Sequence, residues 1–383
     1  MTRVAVQPDL YRWARERAKQ DQFALTARFP KLPEWESGQS QPTLKQLESY
    51  AKATHAPVGY FFLPAPPVEP LPIPDFRTIG DRVVARPSAD LLDTIYVCQT
   101  RQAWYRDEAM VTGHQPRPFV GSLGLRTPVI EAAARLREAL GFSVQQRREC
   151  GTWTDALRLF IAQAEEIGVL VMVSGVVMNN NTRILEPEEF RGFALVDALA
   201  PLVFINGADS KSAQMFTLAH ELAHLWLGES ALSNSSTDGV ASNAVETWCN
   251  QVAAELLVPM DSLRLALRDN EALDVAKLRL AREFKVSTLV VLRRLHDVGR
   301  LSRGAFWQAF REEQERLAGI EARNAGGGDF YRTTTARVGK RFARALVEST
   351  LEGRTLYREA FQMLGIAKTT TFNELGRTLG LPT

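Results

Sequence analysis

The chain has 383 residues, of which 45% are hydrophobic and 23% charged, with a formal net charge of +2. This suits a globular protein of two or three domains and excludes one that engages nucleic acid through a global basic field. The three cysteines (Cys98, Cys150, Cys249) include no C-x-x-C pair, the N-terminus lacks an apolar signal core, and the longest apolar run (167–178) is too short for a bilayer, so a cytoplasmic protein without a membrane partner is expected.

In chain order, residues 1–56 hold four short helical patterns, the third ending at Gly38. The fourth, "PTLKQLESYAKAT", should bury Leu44, Leu47 and Ala51. Several short helices in so few residues predict a helix-turn-helix domain. Seven prolines between 57 and 74 then exclude a regular helix or paired strand, and a proline-rich linker over 57–80 follows. Its aromatics, Tyr60, Phe61 and Phe62, should lie against a domain surface. Residues 81–312 read as one domain that opens with long helices. Three strand patterns follow, "VLVMVSG" (169–175), "GFALVD" (192–197) and "PLVFING" (201–207), then more helices, including a helix-turn-helix-like pair at 272–300. A helical, partly basic region closes the chain at 325–383. The expected fold is therefore mainly α with a small β-sheet (α+β).

"FTLAHELAHLWLG" (216–228) carries the chemistry. Residues at i and i+4 share a helix face, so His220 and His224 can bind one ion. Glu221 projects beside that face, placed to take a proton from a water that a bound zinc would acidify. The helix is apolar nearly all round, and two buried histidines with a buried glutamate need partners, which a metal supplies. A catalytic zinc takes a third protein ligand. Asp238, Glu246, Cys249 and Glu255 are available, and Glu246 is the best of them: it shares a face of the helix at 243–257 with Cys249, Asn250, Ala253 and Leu257, where small side chains permit close approach. Asn250, one turn on, is placed to orient a histidine. Of the downstream groups Tyr331 and His296, Tyr331 is the candidate to assist an oxyanion. "PLVFING" or "GFALVD" should border the cleft, so that an extended substrate adds to that edge.

"FTLAHELAHLWLG" followed by "ETWCNQVAAELLVP" resembles the ImmA/IrrE family of zinc metallo-endopeptidases, whose second motif runs E-x-x-A-N-x-F-A-x-x-L-L-x-P; here Cys249 replaces the alanine and Val252 the phenylalanine. The resemblance implies a zincin-like domain with zinc on His220, His224 and Glu246, and Glu221 as general base. It also implies a substrate that is a specific protein, a repressor or toxin-like regulator, whose cleavage turns genes on. "WESGQSQPTLKQLESYAKAT" with "PVGYFFLP" and "PIPDFRT" resembles the Xre-type helix-turn-helix fused to many such peptidases.

Residues 1–57 carry nine Lys/Arg against six Asp/Glu, a modest excess for a DNA reader, and the third helix is acidic. DNA contact through residues 1–56 or the basic stretch 332–344 therefore stands beside a dimerisation or substrate-docking role for the N-terminal helices, and a homodimer is compatible with either. The competing reading of the whole chain is a DNA-binding, antitoxin-like or autoregulatory repressor whose metal site is structural or vestigial. Glu221 favours the enzyme, because a structural zinc site needs no base.

Overall fold

The structure, a computed structural model, describes residues 3–75, 87–233, 244–321 and 335–382. The chain is mainly helical with one small mixed β-sheet, and no described helix is long and apolar enough to cross a membrane. It divides into two compact units, Met1–Pro72 with Val83–Tyr96, and Ile73–Arg82 with Val97–Thr383.

In the first unit, α1 (Pro8–Arg17), α2 (Gln22–Arg28), α3 (Leu32–Glu36) and α4 (Leu44–Ala53) enclose an aromatic core. Pro8 opens α1 where a missing N–H costs nothing. A capping box between Thr43 and Gln46 starts α4. Leu47 and Ala51 are buried as expected, but Leu44 is 49% exposed. It shares their helix face, yet it sits at the first helical position, beyond the end of the core. The proline-rich stretch also departs from a plain extended spacer, because Val58–Phe62 forms a 3-10 turn. That turn sinks Phe61 between Tyr11 and Tyr50, with ring centroids at 6.0 and 5.9 Å. Arg17 then pairs with Glu69 at 2.6 Å, so the stretch lies back on its own helices.

The second unit is built around a sheet of order β1-β3-β2-β4. β1 (Leu170–Ser174) runs parallel to β3 (Leu202–Asn206), while β2 (Gly192–Leu195) is antiparallel to both β3 and β4 (Ala231–Ser233). This corrects the expectation that "GFALVD" or "PLVFING" offers an edge to substrate, since β2 and β3 are both interior. Their unbroken apolar runs are the physical reason: every residue of each is buried, the pattern of central strands. The edges are β1 and β4, and the outer side of β4 is engaged by the chain itself, with Leu232 N–H donating to Pro74 O at 2.9 Å.

α5 (Ala89–Val111) ties down the β2–β3 connection, where Gln102 donates to the carbonyls of Leu195 and Ala200 at 2.8 and 2.9 Å. The helices α6 (Val129–Leu140), α7 (Val144–Glu149) and α8 (Trp153–Glu166) lead into the sheet. After β3 comes the histidine helix, α9 (Lys211–Leu227), which packs on β2 and β3; α10 (Ala244–Leu257) packs against α9. The helices α11 (Met260–Ala266), α12 (Leu273–Phe284), α13 (Thr288–Asp297) and α14 (Arg303–Glu321) follow. Among the described residues the tail holds the helices Lys340–Leu351, Tyr357–Leu364 and Thr369–Thr378.

Two buried arginines hold α10 in place. Arg147 donates to the last carbonyls of α10 and α12, Leu257 O at 2.6 Å and Phe284 O at 3.0 Å, where helix C-termini favour a cation. Arg294 pairs with Glu255 and donates to Val258 O. Arg337, Arg341 and Arg344 of the tail are likewise used internally: Arg337 donates to Asn179, Arg341 to Tyr105 and Arg344 to Leu379 O.

Candidate metal centre

α9 is fixed at both ends before its side chains matter. Ser210 caps its first turn by accepting the Ala213 N–H, and Gly228, at φ 77°, ends it in the left-handed conformation that favours glycine. The last carbonyls are satisfied from outside the helix: Gly121 N–H donates to Leu225 O and Leu123 N–H to Trp226 O. Phe119 stacks on Trp226 with centroids 4.2 Å apart. His220, Glu221 and His224 are then buried completely.

α10 brings Glu246 to the two rings. Its carboxylate straddles them, Oε2 at 3.2 Å from His220 Nε2 and Oε1 at 3.1 Å from His224 Nε2, while the two nitrogens stand 3.1 Å apart. These three residues are the group among the described ones whose donor atoms converge closely enough to hold an ion. The spacing fits: three tetrahedral donors at about 2.0–2.1 Å from an ion lie about 3.3 Å from one another. Electrostatics agree. Burial disfavours charge on both rings and on the carboxylate, yet the rings hold Glu246 well below the usual carboxylate range. Glu246 in turn raises His220, whereas burial keeps His224 low. The pocket is thus arranged to place positive charge against one anion.

Glu221 is not among those donors. Its carboxylate lies against β2 at Gly192, where an added Cβ would come within 3.2 Å of Oε1. Gly192 escaped the sequence reading, although a glycine opening an apolar strand is a signal of close backbone approach. Asn250 is half-buried beside His220 and favours its protonated ring. His220 Nδ1 and Asn250 Oδ1 are both buried, a donor and an acceptor suited to each other when the ring is neutral and its Nε2 ligates.

The remaining candidates lie elsewhere. Glu255 is occupied by Arg294, and Cys249 is fully buried with its thiol pushed well up by burial, so it packs as an apolar group. His296 faces Leu301 O and stacks on Phe306. Asp238 and Tyr331 lie outside the described residues.

This geometry forms a His-His-Glu cluster able to hold a metal ion, with an adjacent carboxylate, and the comparisons suggest its class. Residues 164–296 match the family model described as the IrrE N-terminal-like domain, Peptidase_M78. That span contains the whole sheet and all four residues of the centre. It supports the ImmA/IrrE family and a metallopeptidase-type activity on a protein substrate. Residues 338–378 match a domain of unknown function, DUF8813. No curated protein matches the chain.

Proposed function

We propose that the chain is a zinc-dependent endopeptidase that regulates transcription by cutting one partner protein, a repressor or a component of a toxin–antitoxin pair. The observation that carries this reading is Glu221, a fully buried carboxylate beside a three-donor cluster of which it is not a member. A structural site closes with four protein ligands and has no use for such a group. Two imidazoles and a carboxylate suit zinc among the common ions. The regulatory half of the proposal is supported by the likeness of the two motifs to the ImmA/IrrE pattern.

A bound zinc would supply Lewis acidity toward the scissile carbonyl and lower the pKa of a water. The other tasks fall to the chain. His220, His224 and Glu246 hold the ion, and Asn250 fixes the ring of His220. Glu221 takes the proton of the attacking water at its carboxylate and returns it to the leaving amine nitrogen. Gly192 keeps room for that carboxylate, and the apolar flanks of α9 exclude bulk water. Tyr331 stays a candidate for a hydrogen bond to the carbonyl oxygen.

The test is to expose a cellular protein extract to the zinc-loaded chain and to Glu221→Gln, then sequence new protein N-termini. The proposal expects a new terminus in a transcription regulator with the wild type alone. The same termini with both proteins, or none with either, would contradict it.

A further inference from the structure

The first unit carries an open cleft of about 540 Å³ between the α2–α3 connection and α4. Phe29, Pro30 and Trp35 form apolar walls, and Arg28, Lys31 and Lys45 stand around it with no carboxylate among the lining residues. All three cations are exposed. The arginines of α1 in the same unit behave differently, since Arg12, Arg15 and Arg17 are matched by Asp9, Glu36 and Glu69. No ion pair is found for Arg28, Lys31 or Lys45 among the described residues.

Lys45 is the informative one. It is the second residue of α4, and no acidic residue occupies that first turn. A helix N-terminus carries partial positive charge, so a lysine there is misplaced for stability. The position suits it if an anion arrives from outside.

We propose that this cleft docks an acidic polypeptide segment containing an apolar side chain, contributed by the protein substrate; the choice of occupant rests on the peptidase reading. Carboxylates would meet Arg28, Lys31 and Lys45, while an apolar side chain would lie on Pro30, the exposed apolar residue of the lining. A nucleic-acid backbone fits this surface less well. DNA readers insert a convex helix into the major groove. Here α3 spans only five residues, with Leu32 and Trp35 in the core and Glu36 buried against Arg15. The cationic feature is instead a concavity, and a duplex keeps its bases stacked inside, with no apolar group to place in it.

The test uses the full chain in a Glu221→Gln background, so that binding is read without cleavage. The probe is a fluorescein-labelled Asp-Glu-Phe-Glu-Asp-Leu peptide, followed by anisotropy at low salt and compared with its Asn/Gln analogue and a short DNA duplex. The acidic peptide should bind and be released by salt. The triple variant Arg28→Glu, Lys31→Glu, Lys45→Glu should weaken it by at least about tenfold, and Lys52→Glu, outside the cleft, should not. Lys45→Glu alone should weaken the peptide and slightly raise the Tm, because a carboxylate suits that helix position. Absence of peptide binding, equal binding of the neutral analogue, preference for the duplex, or a Lys45→Glu variant of lowered Tm would each overturn the proposal. A failure of the peptidase reading would show separately, as absent cleavage by the zinc-loaded wild type.

Discussion

Gly192 lies directly against Glu221: a Cβ at position 192 would stand 3.2 Å from Glu221 Oε1, 2.6 Å from Thr217 Cγ2 and 2.8 Å from Phe204 O. The last of these is backbone in the middle of the sheet and has little room to move. Gly192→Ala should therefore push α9 off β2 and displace the carboxylate. A stability loss of about 1–3 kcal/mol is expected from the overpacking, with zinc retained and peptide cleavage reduced at least about tenfold. Denaturant unfolding, metal content and cleavage rate check this, and a fully active alanine variant would rule out a role for the close approach.

Metal removal should be visible in stability. The cluster joins α9 to α10, and an ion bound to the folded chain alone stabilises it by about 2.7 kcal/mol when free metal is a hundredfold above its Kd. A strong chelator should lower the Tm of the wild type and leave that of Glu246→Ala unchanged. Thermal scans with and without chelator make the comparison. An equal response of the two proteins would mean that the ion sits elsewhere.

Glu165, in the last turn of α8, accepts the backbone N–H of Arg341 at 2.9 Å. Burial pushes its carboxyl up to about 7 against neighbouring Arg341 and Lys340, which act to lower it. A raised folded pKa gives stability that is present below the unfolded value of 4.5 and is lost as pH climbs through about 7. Glu165→Gln keeps the acceptor and removes the titration. The variant should match the wild type near pH 4.5 and exceed it at pH 8 by about 1–2 kcal/mol, discounted for partial exposure. Unfolding free energies at the two pH values would show the crossover, and a variant weaker at pH 8 would contradict it.

Phe61 has its ring inside the first unit although it belongs to the proline-rich stretch. Phe61→Ala should cost about 3–5 kcal/mol there, with zinc content unchanged because the centre lies in the other unit. A chain ending at residue 56 would lose Phe61 from between Tyr11 and Tyr50, so that product should aggregate. A soluble, cooperatively folded truncation would show that the 3-10 turn is dispensable.

What could be read in the sequence was local. His220, Glu221 and His224 lie within five residues, so helix periodicity alone places them together. Glu246 followed from the regular stripe of α10, because that helix is long enough to define a face. Gly192 meets Glu221 only through the sheet, and no spacing along the chain encodes that approach. Strand order was hidden for a similar reason. β4 has three residues, too few for a periodic signal, yet it makes β2 interior and closes the edge that the order along the chain leaves for a substrate. Leu44 shows the limit of periodicity itself: the stripe was right, but where the core ends along it depends on packing.

The most direct test of the account is the zinc-to-protein ratio in four single variants, read by elemental analysis of purified protein. One zinc per chain is predicted for the wild type and for Glu221→Gln, with loss in His220→Ala, His224→Ala and Glu246→Ala. Full zinc in Glu246→Ala would contradict the three-ligand centre, and loss of zinc in Glu221→Gln would contradict the division between ligands and base on which the proposed chemistry rests.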